Sequence, residues 1–75
     1  MKFDQTVDVK GLACPMPIVK AKKALDTMAS GEVLEVQVTD KGAISDFTAW
    51  CSSLEHTLLQ QLEEENILYF YIKKA

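Results

Sequence analysis

The sequence predicts an α+β domain: a two-layer α/β sandwich in the order βαβαββ, with two helices on one face of a four-stranded mixed sheet. Three observations carry that expectation. Two alternating apolar runs are each followed by a stretch whose apolar residues recur every three or four positions. The chain then closes on the aromatic and β-branched run Ile67-Leu68-Tyr69-Phe70-Tyr71-Ile72. At 75 residues there is room for one core, so 1–75 reads as a single domain.

Taken in order, Phe3, Val7 and Val9 alternate with Thr6 and Asp8, which suits a first strand over Phe3–Val9 with one buried face. Gly11 breaks it. Ile18, Ala21, Leu25 and Met28 then mark one stripe of a helix over residues 15–29, with Gly31 as its C-terminal stop. The second strand is Val33–Val38, and Thr39-Asp40-Lys41-Gly42 forms a turn in which Asp40 can cap a second helix starting near 43. Ile44, Phe47, Cys51, Leu54 and Leu58 fall at helical intervals, and no Gly or Pro fixes where that helix ends between 54 and 62. Residues 57–62 also fit a third strand, with Glu63-Glu64-Glu65-Asn66 as a solvated hairpin turn and Ile67–Ile72 as the closing strand, its end blunted by Lys73 and Lys74.

Composition narrows the function. Eight Lys+Arg against eleven Asp+Glu give a net charge of −3, a poor balance for binding a phosphate backbone. No apolar run is long enough to cross a membrane, and the first five residues carry no signal-peptide or transit-peptide character, so a cytoplasmic location is expected. Two cysteines and one histidine do not make a four-ligand zinc site, and Cys14 and Cys51 do not form a C-x-x-C pair. No cofactor or metal is expected. Net stability at this length is about 4–11 kcal/mol, which suits an exposed single-residue site better than an enclosed one.

That residue is Cys14, in the stretch Gly11-Leu12-Ala13-Cys14-Pro15-Met16-Pro17. A thiol at a helix N-terminus faces unpaired N–H groups and the positive end of the helix dipole, both of which favour the nucleophilic thiolate. Pro15 and Pro17 are tolerated in a first helical turn and stiffen it, and Gly11 supplies the preceding break. Two readings stand on residue types alone. Cys14 is either the working thiol or a small residue that happens to start a Pro-x-Pro helix; cysteine is a poor cap beside Ser, Thr, Asp or Asn, which leans toward function.

The segment from Gly11 to Pro17, followed by Ala24-Leu25, Gly31, Thr39-Asp40, Gly42-Ala43, Asp46, Ala49-Trp50-Cys51 and His56, resembles the TusA (SirA/YedF-like, UPF0033) family of sulfur carrier proteins. The likeness spans nearly the whole chain, and its most specific piece is the G-L-x-C-P-x-P segment. The resemblance implies the two-layer βαβαββ fold and a cytosolic sulfur relay. In it, the cysteine of the CPxP motif, here Cys14, takes sulfane sulfur as a persulfide from a donor protein, a desulfurase or rhodanese-like protein. It then passes the sulfur to an acceptor sulfurtransferase. Known destinations in that family include tRNA thiolation, molybdenum cofactor assembly and sulfur oxidation. The chain departs from the family where many members have Gly-His and this one has Glu55-His56, which bears on the end of the second helix.

The remaining candidates have plainer readings. Cys51, on an apolar stripe beside Trp50, is expected to be a buried, unreactive thiol rather than a resolving cysteine. His56 is expected to be a polar boundary residue, and Asp40 and Asp46 helix-capping acids. Lys20, Lys22 and Lys23 read equally as a solvated helix face and as a docking patch for an acidic partner. Tyr69, Phe70 and Tyr71 read as alternate faces of an ordinary strand rather than a base-stacking platform. Against a sulfur carrier, expected to be monomeric, stand a regulatory or nucleic-acid-binding module with a structural Cys14, and a redox protein forming a Cys14–Cys51 disulfide.

Overall fold

A computed structural model describes residues 2–13, 16–53 and 56–75. Its elements are β1 (Gln5–Asp8), α1 (Met16–Asp26), β2 (Val33–Val38), α2 (Ala43–Ser53), β3 (Thr57–Glu64) and β4 (Ile67–Lys73). They form one sheet of order β1-β2-β4-β3, in which β1 and β2 are parallel and the other neighbours antiparallel. The expected βαβαββ order and mixed sheet are therefore present.

The strand period explains which face is buried. Leu34, Val36 and Val38 of β2 stand opposite Ile72, Phe70 and Leu68 of β4, and all six are buried. Against that face pack Ala21 and Leu25 of α1, Met28 beyond it, and Phe47 and Cys51 of α2. Phe47 stacks on Phe70 with ring centroids 4.9 Å apart, so an aromatic pair joins α2 to the middle of the sheet. Both helices thus share one core on one face.

The opposite face holds a polar cluster. The Glu35 carboxylate, only 6% exposed, accepts hydrogen bonds from Thr6 Oγ1 (2.9 Å), Gln37 Nε2 (2.8 Å) and the Tyr71 hydroxyl (2.7 Å). Burial alone would raise the Glu35 pKa, but these bonds outweigh it and hold the group below the ordinary value of 4.5. The same bond to Glu35, with burial, pushes Tyr71 up to about 12. Phe3 lies over this face, 6.1 Å from the Tyr71 ring and 44% exposed, so it does not extend the buried stripe of Val7 and Val9.

Several boundaries differ from expectation. β1 is shorter than Phe3–Val9, although Asp4 and Val9 still donate to Val33 and Gln37 backbone oxygens. α1 ends at Asp26 instead of 29, because the Thr27 and Met28 amides turn back to Ala24 and Leu25 in tighter bonds while the Thr27 hydroxyl takes the Ala24 carbonyl. Met28 remains buried, which is why the apolar stripe outruns the helix. Gly31, at φ +90°, donates to the Lys74 carbonyl and prolongs the β2–β4 ladder rather than capping the helix.

α2 is described to Ser53, and Thr57 already belongs to β3, so the helical extension through Leu58 and Leu62 does not occur. Pairing with β4 wins: Leu58 faces Ile72 across the ladder and packs on the core from a strand. Leu54 and Glu55 lie outside the described residues. The hairpin turn is two residues, Glu65 and Asn66 at φ 51° and 67°, so Glu63 and Glu64 are strand residues and not part of a four-residue turn.

Candidate functional site

Because β1 and β2 run parallel, their C-terminal ends lie side by side, and each is followed by a loop that launches a helix. The first loop is tied amide by amide. Val9 N–H donates to the Gln37 carbonyl at 2.8 Å, and Lys10 N–H to Asp8 Oδ1 at 3.0 Å. Gly11 N–H donates to Thr39 Oγ1 at 2.9 Å, and Leu12 N–H to the Val9 carbonyl at 3.2 Å. That last bond closes a turn with Gly11 third at φ +82°, the left-handed position a type II turn demands. Space is not the constraint, since a Cβ at Gly11 would meet nothing within 4 Å.

Cys14 and Pro15 lie outside the described residues. On either side of them the Met16 amide donates to the Ala13 carbonyl at 3.0 Å, the opening turn of α1. Pro17 in that turn is fully buried, whereas Met16 beside it is exposed. The first turn of α1 carries no acidic residue. Met16 and Val19 are 42% and 39% exposed, and with Lys20 and Lys23 they fall on one helix face at helical spacing. Lys22 pairs with Asp26 at 3.0 Å, whereas Lys20 and Lys23 have no ion-pair partner among the described residues.

The second loop is built differently. Asp40 Oδ1 accepts the Gly42 amide at 3.1 Å, and Asp46 sits in the first turn of α2, as capping acids should. Sequence reading placed Thr39 only in a turn and missed its bond to the first loop. The available signal was its position just past the end of a strand parallel to the one preceding Gly11.

The other candidates resolve into structure. Cys51 is a free thiol, 2% exposed, and burial pushes it up to about 11, so it offers little thiolate near neutral pH. His56 accepts the Ala75 amide on Nδ1 at 3.0 Å and lies 5.7 Å from the Trp50 ring, a boundary role. Phe70 is in the core, while Tyr69 and Tyr71 face the other way, as an ordinary strand requires. Glu63 pairs with Lys41 at 2.6 Å beside a cleft of about 220 Å³ lined by Ile44, Gln61, Leu62, Leu68 and Phe70. Among the described residues no three His, Cys, Asp or Glu side chains gather to hold a metal, and no helix is long and apolar enough to cross a membrane.

Comparison with known proteins decides the family. A family model described as sulfurtransferase TusA matches residues 5–74. The chain belongs to the TusA family. Among its relatives, YrkI of Bacillus subtilis (strain 168), provisionally named a sulfur carrier protein, is 57% identical over all 75 residues and the whole of that protein. The sulfur carrier protein TusA of Allochromatium vinosum is 45% identical over 73 residues, covering 97% of this chain and 96% of that one. In fold, the chain matches the crystal structure of a SirA-like protein from Desulfitobacterium hafniense with a TM-score of 0.84, covering 96% of this chain and 99% of that chain at 24% identity. The TusA fold is thus the four-stranded, two-helix sheet described above.

Proposed function

We propose that this protein is a sulfur carrier whose cargo rides on Cys14 as a persulfide. The observation that carries the reading is full-length similarity to sulfur carrier proteins, in a chain whose other cysteine is sealed in the core. The Cys14 thiolate attacks the outer sulfur of a donor persulfide. A new S–S bond forms at Cys14, the donor's S–S bond breaks, and the donor leaves as a thiolate. In the second half-reaction an acceptor thiolate attacks the outer sulfur of Cys14–S–SH and returns Cys14 as thiolate. No net oxidation occurs in either step.

Donor and acceptor are proteins that must reach the loop between β1 and α1. The face formed by Met16, Val19, Lys20 and Lys23 begins two residues beyond Cys14 and supports docking of a partner with an apolar centre and acidic rim. Lys22 joins this patch less freely because Asp26 holds it. The family-implied setting is the reducing cytoplasm, where Cys14 and Cys51 stay unpaired. The redox alternative requires a disulfide to Cys51, whose burial argues against it, and the acidic balance argues against nucleic acid.

Incubation with a persulfide donor followed by intact-mass measurement is expected to add one sulfur atom to the wild type and to Cys51→Ser, and none to Cys14→Ser. Sulfur found on Cys51 alone would overturn the proposal.

A further inference from the structure

We infer that Thr39 is a positioning residue for the reactive loop: by accepting the Gly11 amide at 2.9 Å, its hydroxyl sets the approach of the chain to Cys14 and so tunes that thiol. The inference rests on Cys14 being the sulfur-bearing residue.

Each amide of this loop finds its acceptor within the protein. Of the four consecutive amides from Val9 to Leu12, two bond to backbone carbonyls and one to the Asp8 side chain within the same segment. Only Gly11 reaches a side chain of another element. It is also the residue where the chain swings from strand direction into the loop, at φ +82°. Fixing its N–H fixes the plane of the Lys10–Gly11 peptide, and with it the direction in which the next residues leave the sheet.

Thr39 is a firm post for this purpose. It directly follows Val38, which is fully buried and paired with Leu68 of β4. The neighbouring Asp40 turns instead to the Gly42 amide at the start of α2. Two adjacent side chains thus serve two different helix entrances, and only the threonine serves the one that holds Cys14. A hydroxyl suits the task because it accepts the Gly11 amide without adding a charge to the loop.

The test compares Thr39→Val, which keeps the shape and loses the acceptor, with Thr39→Ser, which keeps the acceptor. The readouts are the pH profile of Cys14 alkylation by iodoacetamide, located by peptide mass mapping, and hydrogen exchange of the Gly11 amide. In Thr39→Val the Cys14 profile is expected to move toward that of an ordinary cysteine, slowing the neutral-pH reaction about two- to fivefold, the size of a helix-terminus effect on a thiolate. Thr39→Ser should retain the wild-type profile. A folded Thr39→Val protein with the wild-type profile would overturn the inference. So would rapid exchange of the Gly11 amide in the wild type, a measurement that stands even if the valine variant fails to fold. Sulfur loading is scored separately: Thr39-dependent alkylation in a protein that takes up no sulfur removes the carrier reading and leaves the positioning role, and the reverse pattern removes the positioning role alone.

Discussion

The two helix entrances solve one physical problem in opposite ways. Each helix of this pair begins with amide groups that lack intrahelical acceptors and with the positive end of its dipole. At α2 the chain supplies its own anions, Asp40 on the Gly42 amide and Asp46 in the first turn. At α1 the first turn carries none: Asp8 holds only the Lys10 amide at the end of β1, and the rest of the entrance is made by backbone bonds, a glycine, a buried proline and a neutral hydroxyl from Thr39. An entrance already neutralised by carboxylates is finished as structure. One whose first helical turn is left without a carboxylate retains its capacity to favour a sulfur anion, and that is where the sequence puts Cys14.

Changes at three residues test this contrast, from the largest effect to the smallest. Glu35→Ala provides the baseline, because Glu35 lies on β2 away from both entrances. Losing its buried hydrogen bonds should lower stability by about 2–3 kcal/mol in urea titration, while Cys14 alkylation in the folded protein stays at the wild-type rate. The same residue sets a pH dependence. A carboxyl whose folded pKa is held below its ordinary value of 4.5 stabilises the fold above that value and loses the contribution as pH falls through the folded pKa. The urea midpoint of the wild type should therefore drop between about pH 7 and about pH 3 by more than that of Glu35→Gln. An equal drop in both proteins would remove Glu35 from the account.

Asp40→Ala attacks the structural entrance. It should cost about 1 kcal/mol of stability, the usual value of a capping side chain, with no change in the Cys14 profile; a changed profile would mean that the two entrances are not independent. Met16→Asp does the converse by placing a carboxylate in the first turn of α1. Met16 is 42% exposed, so the fold should tolerate it. Alkylation of Cys14 near neutral pH should slow about two- to fivefold, and an unchanged rate would show that the missing acid at α1 has no electrostatic consequence.

Element order, the limits of β2 and the start of α2 were legible because the alternating Leu34, Val36 and Val38 and the helically spaced Phe47 and Cys51 are all buried, even though Glu35 is buried too and Ile44 is exposed. The end of α1 was not, since Met28 is buried beyond the helix and keeps the stripe going after the backbone has tightened. β3 was ambiguous for a similar reason: Leu58 and Leu62 suit either period, and what decides is pairing with β4, a long-range interaction. The hairpin was misjudged because Glu65 adopts φ 51°, a conformation its residue type does not advertise. At the site, the Cys-Pro-x-Pro segment was conspicuous on the page. The bond from Gly11 to Thr39 was not, since it exists only once two parallel strands lie side by side.

The sheet order carries a consequence for how the molecule is made. β4, the last of these six elements to be made, lies between β2 and β3, and it brings Leu68, Phe70 and Ile72 to the core. While the chain emerges from the ribosome, β2 has only β1 as a partner and the helices have half a floor to rest on. The post that Thr39 offers to Gly11 stands on Val38, whose antiparallel partner is Leu68. Assembly of the cysteine loop therefore waits for β4: a nascent chain has the thiol long before it has the setting that would make the thiol useful.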